Sequence, residues 1–206
     1  DGIDPNLETI VATHPDLVIL YHSGQNGRAA ERLRALGIPA LRVRSDRLAD
    51  VPRLATLFGR LTGHQDSAAA VVTRFERELA DATVPPPARP PTVFILVWDE
   101  PPMTVGAGSY LSELLARAGA RNAFADLPAS SGQISVEAAA ARNPDFVFTT
   151  SEGIPAFAGR PEWQVVPAIR ERRFLHGAGS EFSRPGPRAP AAIRELRAAL
   201  TAAAHP

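Results

Sequence analysis

The sequence predicts an α/β protein of two lobes joined by a long helix, and three observations carry this. A helix-strand unit occurs twice, as "LETIVATHPDLVI" (7–19) and "VEAAAARNPDFVF" (136–148), with the same interval from Glu to Pro: Glu8 to Pro15, and Glu137 to Pro144. Continuous apolar runs, "DLVILY" and "TVFILVW", alternate with amphipathic stretches, as in a parallel sheet covered by helices. That alternation stops in the middle of the chain. A helical stretch from Leu48 to Thr83 is followed there by a stiff Pro-rich joint, "VPPPARPP".

The elements follow in order. "NLETIVATH" is a short helix: Asn6 is a good N-cap, and Glu8 lies in the first turn, where a negative charge suits the helix dipole. His14-Pro15 ends it, because the residue before Pro disfavours helix. "DLVILY" is a buried strand, "SGQNG" a turn, "RAAERLRALG" a helix closed by Gly37, and "PALRV" a second strand. The helical stretch breaks at "TGHQD" (62–66), after which Asp66 or Ser67 caps a long helix reaching Ala82. Beyond the joint come the strand "TVFILVW", a loop "DEPPMTVGAGS", and a helix "YLSELLARAG" closed by Gly119. The repeated helix has Ser135 as N-cap and Glu137 in its first turn, and "DFVFTT" is its strand. Short helical pieces around "PEWQVVPAIRER" and a strand "RFLH" lead to a last amphipathic helix in "PRAPAAIRELRAALTAAA". The expected division is a first lobe over 1–49, connecting helices over 50–84 and a second lobe over 85–206. Any αβ unit suits an acidic first turn and a Pro-Asp exit. A duplicated lobe is the simpler account here, because each copy continues with a turn, a helical segment and a strand.

Composition narrows the function. Formal net charge is zero and there is no basic run, so nothing points to nucleic acid or to an anionic membrane surface. All basic residues are Arg. There is no cysteine, which excludes disulfides, thiolate metal sites and thiol nucleophiles. His14, His64, His176 and His205 are spread along the chain without ligand spacing, so no protein-built metal site is expected. "VGAGSY" supplies two of the three glycines of a dinucleotide loop and lacks the acidic ribose partner. There is no nucleophile elbow and no P-loop. The chain is therefore not expected to be an enzyme; an α/β enzyme with an unrecognised site is the competing class.

Four segments in series, "NLETIVATHPDLVILYHSG", "GSYLSELLARAGARNAFAD", "ISVEAAAARNPDFVF" and "SRPGPRAPAAIRELRAAL", resemble the periplasmic substrate-binding proteins of ABC importers for corrinoids, haem and ferric siderophores. The resemblance is to the helical-backbone (class III) type, and within it to the vitamin B12-binding branch. It implies two α/β lobes on a backbone helix from about Ser67 to Ala82, with little lobe motion and ligand held in the cleft between lobes. It also implies a periplasmic or other extracytoplasmic location, with a leader removed before "DGIDPNLE". The expected partner is an ABC permease dimer in the inner membrane, whose Arg residues receive Glu8 and Glu137; the alternative role of those two is helix-dipole stabilisation of about 0.3–1 kcal/mol each. No cofactor is implied. The expected ligand is cobalamin or cobinamide, with haem or a ferric siderophore as alternatives. Members of this group begin with a strand and helix ahead of "NLE", which this sequence lacks. An incomplete first lobe with an exposed sheet edge is therefore expected, and with it self-association.

Ligand sites in such folds lie at the carboxyl ends of the strands. Those ends supply Tyr21 and His22, then Arg42 and Arg44, then Trp98, Asp99, Met103 and Tyr110, and last Glu181, Phe182 and Arg184. A flat macrocycle needs aromatic walls and a few polar groups at its rim. Tyr21, Trp98, Tyr110 and Phe182 are the aromatic candidates, with core burial as the alternative for each. Arg184 is placed to meet a propionate or a polar rim group. His22 is either an iron ligand for haem or a plain surface histidine. Trp163 either covers the cleft rim or packs locally, and Arg188 is either functional or structurally paired.

Overall fold

The computed structural model describes residues 5–151 and 153–204, so His205 lies outside the described residues. The chain divides into two compact units, Asp1–Ser45 and Asp46–Pro206.

The first unit holds α1 (Leu7–Ala12), β1 (Val18–Tyr21), α2 (Gly24–Ala35) and β2 (Ala40–Val43). β1 and β2 pair in parallel with Val18 opposite Ala40 and Tyr21 opposite Val43. Leu20 and Ala40 pack on Ala29, Ala30 and Leu33 of α2, which makes a small core. The strand is not buried throughout as expected: Ile19 and Tyr21 alternate with Leu20 along β1 and stay about half exposed, at 46% and 49%, because the small core of this unit covers only one face. "SGQNG" is not a free turn: Ser23 caps α2 by accepting from the Asn26 amide, so the helix begins at Gly24.

The second unit opens with α3 (Asp50–Thr62) and α4 (Gln65–Ala82). They are separated only by Gly63, in the left-handed region at φ 74°, and His64. The helix thus starts ahead of the expected caps Asp66 and Ser67. The sheet that follows is mixed rather than parallel. It is built from β3 (Thr92–Asp99), β4 (Pro102–Val105), β5 (Arg121–Asn122), β6 (Ser131–Gln133), β7 (Phe146–Thr149) and β8 (Phe174–His176). Strand order is β6-β4-β3-β7-β8, with β5 also on β3; β4 runs antiparallel to β3 and β6, while β5 and β7 run parallel to β3. The expected loop "DEPPMTVGAGS" therefore contains a strand. Pro102 is tolerated because it is the first residue of that strand.

Helices cover both faces of this sheet: α5 (Tyr110–Arg117) and α9 (Ala189–Ala204) with α4 on one side, α6 (Val136–Arg142) and α7 (Pro167–Arg170) on the other. β3 shows the reason. Val93 and Ile95 point into the first layer and Phe94 and Leu96 into the second, and all four are buried. Fully burying a side chain of this kind is worth about 1.5–3 kcal/mol, so neither face can be left wet. α4 packs its Phe75 and Ala82 into the layer that contains α9. α8 (Ser180–Ser183) is a single turn ahead of α9.

Buried polar groups are tied down. Asn122 donates to the Val105 carbonyl and the Ser112 hydroxyl and accepts from the Phe124 amide. Replacing it by Ala leaves that carbonyl and amide buried without partners. Each such group costs about 1–3 kcal/mol, so Asn122→Ala should lower unfolding free energy by roughly 3 kcal/mol in urea titration. Asp50 is a second fastener. Burial raises its pKa, but the Arg53 guanidinium and the amides of Asp46 and Arg47 outweigh this and hold it below the usual carboxylate value. A depressed folded pKa stabilises above the unfolded value of about 3.9 and is lost as pH falls through the folded one. Urea midpoints measured down a pH series should therefore fall on the acid side in the parent chain and fall less in Asp50→Asn.

Candidate functional site

In the second unit a pocket of about 330 Å³ lies beside the carboxyl ends of β3 and β7, between the start of α5 and α8. Val97, Val105, Tyr110, Leu111 and Phe182 supply its apolar lining, and Ser109, Thr150 and Ser183 its hydroxyls. Neither a carboxylate nor a cation is among these lining residues. Ser109 is also the N-cap of α5, accepting from the Ser112 amide, which fixes the helix end at the pocket.

Tyr110 is buried, and its hydroxyl donates to the Glu181 carbonyl at 2.6 Å. Burial, then the nearby Glu181 and Glu113 carboxylates, pushes its pKa well above the ordinary phenol value, so the group stays protonated and keeps donating. That bond pins the segment after β8. Arg188 adds to it by pairing with Glu181 and with the Ser180 hydroxyl, which gives Arg188 a structural role. Phe182 is fully buried against Phe148, with ring centroids 5.6 Å apart. It serves as the pocket floor rather than as an exposed wall. The backbone of Gly177 lies so close to both rings that a Cβ there would stand 2.6 Å from Phe148 and 2.9 Å from Phe182.

Trp98 is on the surface at 62% exposure, and its indole N–H donates to the Glu100 carbonyl at 3.0 Å. The β3–β4 register shifts between Leu96 and Trp98. Such a bulge re-aims the side chain that follows it. Asp99 accepts from the Ala156 amide through one oxygen; its other oxygen is buried without a partner among the described residues. Arg184 is exposed. Trp163 is buried and packs against Phe157 with ring centroids 4.3 Å apart and planes tilted by 50°, which is local packing.

In the first unit Tyr21 and His22 are exposed at the end of β1, and the His22 amide donates to Val43. Arg42 is half-buried beside Gly27 and donates to the Ser23 carbonyl. Among the described residues no group of His, Asp and Glu is arranged to hold a metal ion. The pocket hydroxyls Ser109, Thr150 and Ser183 were not singled out in sequence. Their only signal is position: Ser109 precedes a helix, Thr150 follows β7, and Ser183 ends the helical turn α8.

The repeated helices match closely. Asn6 accepts from the Thr9 amide at the start of α1, and Ser135 from the Ala138 amide at the start of α6. Glu8 and Glu137 are each the second residue of their helix, and both are exposed. His14 and Asn143, each just before the Pro-Asp, adopt positive φ of 49° and 42°. The Ser135 hydroxyl and its own backbone amide hold the Glu137 carboxyl below its usual pKa, so it stays ionised through the neutral range.

Residues 1–179 match the family model described as periplasmic binding protein. The chain is 28% identical over 203 residues to a vitamin B12-binding protein of Pectobacterium carotovorum, covering 96% of this chain and 71% of that one. It is also 28% identical over 203 residues to an uncharacterised ABC transporter substrate-binding lipoprotein of Bacillus subtilis, covering 93% of this chain and 63% of that one. A solved periplasmic haem-binding protein from Roseiflexus has the same fold, with a TM-score of 0.85 at 22% identity over 98% of this chain and 82% of that one. The chain belongs to the periplasmic binding protein family, as a substrate-binding component of an ABC importer.

Proposed function

We propose that the chain captures a corrinoid and delivers it to an ABC permease dimer outside the cytoplasm. The observation that carries the ligand choice is the pocket of the second unit. It is apolar, rimmed by Ser109, Thr150 and Ser183, and free of charged lining. The side arms of a corrinoid are mostly neutral amides, which hydroxyls can both donate to and accept from. Haem carboxylates or an anionic siderophore would leave a charge in that pocket without an ionic partner, and this is costly. At about 330 Å³ the pocket takes part of a macrocycle, not all of it. Trp98, exposed and held at its N–H, offers a flat apolar surface for the rest, and Arg184 a polar contact at the rim. In the first unit Tyr21 and His22 are the contributors in this reading. They also support the second reading, haem, because an exposed Tyr or His can ligate iron.

Glu8 and Glu137 are assigned to docking. Two exposed carboxylates at equivalent places on two equally capped helices suit a partner that presents the same basic socket twice.

An absorbance titration with cyanocobalamin, cobinamide and haemin separates the ligands. Saturable corrinoid binding is expected, weakened at least about tenfold by Trp98→Ala, the loss of a central aromatic contact. A Soret shift with haemin that vanishes in Tyr21→Ala or His22→Ala would transfer the assignment to haem. Docking is tested with the double charge reversal Glu8→Arg, Glu137→Arg. Ligand uptake by proteoliposomes carrying the permease and its ATPase should be abolished while ligand affinity is unchanged; undiminished uptake refutes the assignment.

A further inference from the structure

The chain passes from the first unit to the second once, between Ser45 and Asp46. The residues just after that crossing are fastened by two carboxylates. Glu113 of α5 accepts from the Arg47 side chain, Nε at 2.7 Å and Nη2 at 2.6 Å, and its other oxygen accepts from the Leu48 amide at 2.8 Å. Asp50 accepts from the amides of Asp46 and Arg47 at 2.9 and 3.1 Å, and is itself gripped by Arg53. Glu113 is only 21% exposed, and Leu48 is buried in the core that contains α5. The same helix supplies Tyr110 and Ser109 to the pocket, one turn earlier.

We propose that Glu113 is a positioning residue, a latch that holds the start of the second unit to the pocket-bearing helix and confines bending of the joint to the residues before Asp46. Charge-assisted bonds from a fixed carboxylate to a side-chain fork and a backbone amide are directional. A crossing held only by an apolar contact at Leu48 would be free to slide. The latch works for any ligand, so its test does not require that a corrinoid be bound.

The test reads two quantities in the ligand-free protein. Hydrogen exchange at the Leu48 amide should speed up at least about tenfold in Glu113→Ala, since a bond to a charged acceptor is worth more than one decade. Amides of β3 should be unaffected. The absence of native cysteine allows spin labels at Glu31→Cys and Glu195→Cys, both exposed, one in each unit. Their distance distribution should broaden in Glu113→Ala. Should that variant also loosen β3, Glu113→Gln replaces it: its amide keeps one acceptor for Leu48 but turns donors on Arg47, so both readouts should move in the same direction by less. Unchanged exchange at Leu48 overturns the latch. Faster exchange with an unbroadened distribution overturns its control of the joint. Failure of corrinoid binding alters neither readout.

Discussion

Everything in the second unit follows from one strand that has to be dry on both faces. β3 places Val93 and Ile95 on one side and Phe94 and Leu96 on the other, and none of them can be left in water without losing a large part of its burial energy. Helices must therefore cover both faces. With parallel neighbours on β3, the loops that reach those helices gather at the carboxyl ends of the strands. The pocket is the gap left there, where the apolar layer stops and the chain turns. The β3–β4 bulge lies at the same place, and it brings Trp98 out of the layered core to the surface.

Arginine and carboxylate pairs do the fastening that apolar packing cannot direct. Asp145 accepts from both the amide and the hydroxyl of Thr92, tying the exit of the repeated helix to the start of β3. Arg142 of that helix pairs with Asp126 and lies 4.5 Å over the Phe124 ring. Exposed pairs of this sort add little to stability. Their value is geometric, because a planar guanidinium forks onto a carboxylate in few ways. Glu113 uses that property where it matters most, next to the single crossing between the units.

The repeat is one local solution used twice. A polar N-cap, an acidic second residue and a left-handed residue before Pro-Asp give a short helix defined ends without tertiary help. The same acidic residue is left exposed at a helix start. There a negative charge is stabilised by the helix and presented to any basic partner. The docking proposed for Glu8 and Glu137 would not conflict with stabilising the helix start, and both would leave the same signal in sequence.

Sequence alone determined the features whose causes are local. Asn6 and Ser135 cap, the helical stretch breaks within 62–66, and the apolar run at β3 is a buried strand, because capping, backbone freedom and side-chain periodicity act within a few residues; the run at β1 is a strand too, but only Leu20 of it is buried. The family was legible for a related reason: four such local patterns recur in order along the chain. Ambiguous local signals hide two elements. Pro101, Pro102 and the glycines after them obscured β4, and "SGQNG" looked like a turn although Ser23 was capping a helix. Tertiary structure alone decided which aromatic faces solvent. Trp98 lies near the end of β3 and Phe182 in the single helical turn after β8, yet one sits on a bulge and the other is sealed against Phe148. It likewise decided that Glu113, an ordinary helix carboxylate in sequence, would meet Arg47, 66 residues away. The division is physical: backbone propensities are short-ranged and written in adjacent residues, whereas burial and ion pairing depend on distances that exist only once the layers have packed.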